Sequence, residues 1–120
     1  MLHHSFCHVP GIGLKTERAL WNAGIRSWAD LRGETATAAL SAARRTRLRA
    51  FLDESQERLA CNDAGYFSER LPPAQHWRLF PLFRDRCAYL DIETTGLGGQ
   101  GDHVTVMSLY DGRELRYYVW

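Results

Sequence analysis

The spacing of apolar residues changes once along this 120-residue chain, and that change commits it to a mixed fold. In the front half the apolar positions recur at helical spacing, as in Leu48, Phe51, Leu52 and Leu59. From residue 87 onward the pattern shortens into β-rich runs at 87–92, 104–110 and 115–120, with Asp111-Gly112 as a hairpin turn between the last two. The sequence therefore predicts an α+β chain, helices first and then three antiparallel strands.

Glycine and proline divide the helical part. Pro10-Gly11-Ile12-Gly13 is a turn with two glycines free to take positive φ, and 15–23 then reads as a short helix with Gly24 at its C-terminal cap. Ser27 followed by Asp30 has the spacing of a capping box before a short helix through Leu31. A longer helix is expected over 41–59. Its arginines crowd the first half and Asp53, Glu54 and Glu57 the second, against the helix dipole, so tertiary packing must hold it. Asn62-Asp63-Ala64-Gly65 ends it, 66–71 is ambiguous, and Pro72-Pro73 opens one more short helix with Trp77 and Phe80 buried. The expected organisation is a helical module over 1–60, a connector over 61–86 and a sheet-forming segment over 87–120.

The net charge of +1 excludes a globally basic nucleic-acid binder. Residues 1–60 carry nine Lys or Arg against six Asp or Glu, and residues 61–120 carry six against eight, so the front is mildly basic and the back mildly acidic. Cys7, Cys61 and Cys87 are odd in number and have no C-x-x-C spacing, which fits reduced thiols in a cytoplasmic protein. No apolar run has the length of a membrane span, and the first nine residues lack signal-peptide character.

Asp91-Ile92-Glu93 lies at the end of the first predicted strand. Side chains alternate there, so both carboxylates share one face. Such a pair either meets a cation or stays solvated, and a strand running out into water with two surface acids has the same pattern. The longer string Tyr89-Leu90-Asp91-Ile92-Glu93-Thr94-Thr95-Gly96-Leu97 resembles the first motif of the DEDD-superfamily (DnaQ-like) 3′–5′ exonucleases, which have a ribonuclease H-like fold. The next strand–turn–strand also matches that family's opening. The resemblance implies Asp91 and Glu93 as catalytic ligands of two Mg²⁺ or Mn²⁺ ions, with Thr95, Gly96 and Leu97 against the terminal nucleotide of a DNA or RNA 3′ end. It also requires two further aspartates and a His or Tyr that helps to activate water. Asp102, in a glycine-rich loop, and Asp111, in a hairpin turn, are poor substitutes, and His103 reads as a strand-edge residue. The 120 residues are accordingly expected to be the amino-terminal part of such an exonuclease and inactive alone.

Pro10-Gly11-Ile12-Gly13-x-Lys15, followed by a helix and Ala23-Gly24-Ile25, resembles a helix-hairpin-helix motif. Glycines there let a backbone approach a phosphate, and amides at the next helix N-terminus donate to it. Gly11, Gly13 and Lys15 are the candidate DNA phosphate contacts. A compact turn needing glycine only for its geometry is equally consistent, and residues 2–9 are poor material for the motif's first helix. Together with Leu71-Pro72-Pro73 and His76-Trp77-Arg78-Leu79-Phe80, these features resemble the YprB-type predicted exonucleases of bacteria.

The remaining clusters carry less. His3, His4, Cys7 and His8 lack zinc spacing and read as a packed or disordered terminus. Arg44, Arg45, Arg47 and Arg49 suit either a nucleic-acid backbone or a solvated helix face. Trp77 and Phe80 read as core residues docking the connector. The alternative to the exonuclease is a non-enzymatic DNA-binding or interaction module using the glycine hairpin. A three-stranded sheet would also leave open edges that favour self-association.

Overall fold

Gly13 starts the first helix and Gly24 ends it. α1 spans Leu14–Asn22, with Gly13 as its N-cap. At the far end Ile25 N donates to Leu20 O at 2.9 Å and Gly24 N to Trp21 O at 3.0 Å, while Gly24 takes φ +86°. This is a Schellman closure, with the buried Ile25 side chain turned back into the core. The structure, a computed structural model, describes residues 1–96 and 98–120. Its contacts fall into two units, Met1–Leu82 and Phe83–Trp120.

The first unit is helical. After α1 come a 3₁₀ segment at Ala29–Arg32, α2 at Glu34–Ala39, α3 at Ala42–Ala60 and α4 at Ala64–Ser68. Only half of the expected capping box forms: Asp30 Oδ2 accepts from Ser27 N at 2.7 Å, and from Arg26 N at 2.8 Å. These amide donors lower the Asp30 pKa. Ser41 caps α3, accepting from Arg44 N, and Asp63 caps α4, accepting from Tyr66 N at 3.0 Å. α3 stays on the unit through buried Leu48, Leu52 and Ser55, and through Arg49, whose Nη2 donates to Leu31 O at 2.7 Å. Packing thus offsets a charge order that opposes the helix dipole.

The first nine residues make the centre of this unit. They contain only a short 3₁₀ turn at Leu2–His4 and are otherwise non-helical, yet Leu2 and Phe6 are fully buried and Cys7, His8 and Val9 nearly so. Trp21 and Trp28 pin the segment by donating their indole N–H to His4 O at 3.0 Å and Ser5 O at 2.7 Å. Residues 61–82 belong to the same unit, contributing Tyr66, Phe67 and Leu71 to its core.

The structure corrects the expected burial of Trp77 and Phe80, which are 55% and 45% exposed. The 73–79 stretch is a 3₁₀ helix, so residues three apart line up and Trp77 and Phe80 share an outward side. Arg78 turns inward instead, where a buried carboxylate awaits it.

The second unit holds three strands, β1 at Tyr89–Thr94, β2 at Val104–Tyr110 and β3 at Leu115–Val119, in the order β1-β2-β3 and antiparallel throughout. Asp111 sets the β2–β3 turn by accepting from Arg113 N and Glu114 N, both at 2.9 Å, and Gly112 takes φ +92°. β1 and β3 are the sheet's two edges, and both are exposed along their whole length. The chain is therefore α+β: several helices followed by a three-stranded antiparallel sheet. No helix among the described residues is long and apolar enough to cross a membrane.

Candidate functional site

Asp91 and Glu93 sit two residues apart on β1, so the pleat sends both carboxylates to one face. Their cross-strand partners are Ser108 and Val106, and the ladder continues to Tyr117 and Val119 on β3. The register shifts between Glu93 and Thr94, immediately after the second carboxylate. A bulge at such a point bends the strand and re-aims the residues beyond it. Among the described residues no group of three or more His, Cys, Asp or Glu side chains is placed to hold a metal ion. The pair thus offers two oxygen ligands without a third from the described residues.

The loop after β1 is held by its own bonds. Thr95 N donates to His103 O at 3.0 Å, and Thr95 Oγ1 accepts from His103 N at 3.1 Å. Asp102 Oδ2 accepts from Gly98 N at 3.0 Å and Gly99 N at 2.6 Å. Gly96 lies against that carboxylate so closely that a Cβ there would fall 2.5 Å from both its oxygens. A side chain at 96 would have to displace the Asp102 carboxylate, which the Gly98 and Gly99 amides hold in place. Asp102 is occupied by loop amides, and His103 Nδ1 lies 3.2 Å from Gly101 O. Leu97, the third expected nucleotide contact, lies outside the described residues.

The glycine turn is the second candidate. Gly11 takes φ +81°, as a left-handed turn residue must, whereas Gly13 is extended at φ −86° and ψ 176°. Only one of the two glycines is therefore needed for positive φ. A Cβ at either would meet nothing within 4 Å, so the space over both is open. Gly13 has no side chain to cap α1, so the helix's first amides receive no side-chain cap.

Tertiary packing adds residues that the sequence left apart. Pro10, Gly11, Arg44 and Arg47 line one groove of about 160 Å³. Gly11, Gly13, His8 and Arg70 line another, of about 560 Å³, on the turn. Lys15 lies instead on an adjoining groove of about 360 Å³ that it shares with Arg44. The spacing of Arg44 and Arg47 signalled a shared helix face, but nothing in the sequence tied that face, or Arg70, to residues 10–13.

Beneath the turn the histidine–cysteine terminus, for which the sequence leaves packing and disorder both open, is packed. His8 Nε2 lies 3.0 Å from Ser55 Oγ, which itself donates to Phe51 O at 2.8 Å, so the imidazole is the donor of the first bond. His8 Nδ1 is then an unprotonated acceptor, and it has no hydrogen-bond partner. Burial lowers the His8 pKa to about 4, and burial raises that of Cys7. Among the described residues neither group belongs to a cluster of three or more His, Cys, Asp or Glu that could hold a metal ion. No family model, no curated protein and no solved structure matches this chain.

Proposed function

We propose that the Asp91–Glu93 strand supplies two metal-ligating carboxylates of a 3′–5′ exonuclease site in a ribonuclease H-like domain. One observation carries the reading: both acids are exposed on one face of an edge strand, at the head of the string Asp91-Ile92-Glu93-Thr94-Thr95-Gly96-Leu97. An oxygen-only donor pair suits a hard divalent cation such as Mg²⁺ or Mn²⁺ as part of its coordination, with water in the other positions. Bound there, such ions neutralise charge on a phosphodiester and lower the pKa of a water. The chain's own part is to hold the carboxylates on a rigid strand and to present the loop behind them. Thr95, Gly96 and Leu97 meet the terminal nucleotide of a nucleic-acid 3′ end in this reading.

The test is release of mononucleotides from a labelled 3′ end. Two carboxylates bind Mg²⁺ weakly, so these 120 residues alone are expected to hydrolyse single strands at background rate. A polypeptide joining them to two further carboxylate ligands is expected to show chelator-sensitive release that Asp91→Ala or Glu93→Ala abolishes. Release that survives both substitutions would remove the pair from the reaction.

A further inference from the structure

We propose that β3 is a self-pairing edge: two copies of this chain join β3 to β3, antiparallel and centred on Tyr117, into one continuous sheet. The pairing is a property of the second unit alone and holds whether or not Asp91 and Glu93 bind metal.

The hydrogen-bond phase of β3 fixes which backbone groups face outward. Trp120 N donates to Thr105 O at 2.9 Å, and Glu114 O accepts from Asp111 N at 3.3 Å. The β2–β3 register runs without a shift between those bonds, so the even-numbered residues of β3 turn their backbone to β2. The direction alternates along a strand, so the N–H and C=O groups of Leu115, Tyr117 and Val119 point to the open edge. All three residues are exposed, and neither proline nor glycine interrupts the strand.

A two-fold axis through Tyr117 pairs these groups with those of a second copy. Leu115 then stands opposite the second copy's Val119, and Tyr117 opposite Tyr117, each pair exchanging both N–H···O bonds. On the other face Arg116 falls opposite Tyr118, as a cation beside an aromatic ring, and Glu114 opposite Trp120. No like charges stand directly opposite, and Glu114 Oε2 already holds Arg116 Nη2 at 2.7 Å. The edge is thus complementary to itself in backbone, in charge and in apolar side chains.

The β1 edge is not. By the same alternation Leu90 and Ile92 carry its outward backbone groups. A two-fold that pairs Leu90 with Ile92 sets Asp91 opposite Asp91, and one through Ile92 sets Asp91 opposite Glu93. Like charges directly opposite destabilise a strand pair. The register shift after Glu93 also breaks the regularity of this edge. Charges and bulges of this kind guard edge strands against pairing. β3 has no register shift, and the charge it carries, Arg116, meets Tyr118.

The joined sheet also places the carboxylates. Residues directly opposite share a face, so Asp91 and Glu93 of both copies lie on the same face, on the two outermost strands. At the usual strand spacing of about 4.8 Å, the two carboxylate pairs stand about 24 Å apart.

Sedimentation equilibrium of the full 120-residue chain measures the association. The mass is expected to approach twice the chain's 13.8 kDa, with a dissociation constant on the order of 10 µM. Tyr117→Lys and Tyr117→Glu each set like charges opposite at the axis, and each alone is expected to weaken association by at least about tenfold. An equimolar mixture of the two is expected to dimerise again, because lysine then meets glutamate. Leu90→Lys, on the β1 edge, is expected to leave the constant unchanged. Amide exchange in the unsubstituted chain keeps the test open if the charged variants disturb the sheet. There the amides of Leu115, Tyr117 and Val119 are expected to gain protection as concentration rises. A chain still monomeric at about 1 mM would overturn the proposal. So would a mixture of folded variants that stays monomeric, protection gained at Leu90 and Ile92 instead, or assemblies larger than a dimer.

Discussion

Arg78 Nη1 lies 2.9 Å from each carboxylate oxygen of Glu17, closing a buried ion pair across 61 residues of chain. The same Glu17 Oε1 accepts from Phe6 N at 2.6 Å and Cys7 N at 3.1 Å, and Arg78 Nη1 also donates to Ser5 Oγ at 2.7 Å. One carboxylate therefore ties α1, the amino-terminal segment and the 73–79 helix together.

Removing the cation would leave that carboxylate buried without a counter-charge. Arg78→Met is expected to destabilise the first unit by about 3 kcal/mol, the usual scale for breaking such a pair. Denaturant unfolding followed by tryptophan fluorescence checks it, since Trp21 and Trp28 lie in this unit. A loss below about 1 kcal/mol would mean that the pair is no tighter than a surface one.

His8 makes the first unit acid-sensitive in a defined window. Its folded pKa, about 4, lies below the ordinary 6.5, so the unfolded chain binds the proton first as pH falls. Its contribution to stability is complete above pH 6.5, declines as pH falls from there to about 4, and is flat below. The full decline is on the order of 3 kcal/mol. Stability measured against pH for the protein and for His8→Gln should differ by a curve of this shape. A difference that does not vary with pH would show that His8 titrates normally in the folded state.

Gly24 tests the helix ending. It combines φ +86° with a neighbour, Thr35 Cγ2, 3.0 Å from where a Cβ would stand. Gly24→Ala is expected to cost about 1–2 kcal/mol from backbone strain and crowding together. Gly33→Ala is the comparison, since Gly33 has φ −87° and a Cβ there would make only ordinary contact, 3.5 Å from Asp30 O. Equal melting points for the two variants would contradict the Schellman ending.

The range of each force decided how much of the fold the sequence disclosed. The Gly24 ending and the Asp111-Gly112 turn act over a few residues, and each is visible as a short string. The strands were legible from their period, and the β1 face of Asp91 and Glu93 came with it. The Glu17–Arg78 pair was not legible, because nothing local marks two charges 61 residues apart as partners. That pair also explains the error at Trp77 and Phe80: hydrophobicity alone placed them inside, while the three-residue period and the buried Glu17 turned Arg78 in. The approach of Arg44, Arg47 and Arg70 to the glycine turn was hidden for the same reason.

Asp91 and Glu93 are expected, above all, to act together as ligands for a hard divalent cation. Mn²⁺ added to the isotope-labelled chain should broaden amide resonances of Asp91 and Glu93 first, and then those of Ser108 and Val106 across the strand. The Asp91→Asn/Glu93→Gln variant should lose this broadening while keeping the sheet's other resonances in place. Broadening centred on Asp102, Asp111 or Glu114, or undiminished in the double variant, would contradict a joint role for the two carboxylates.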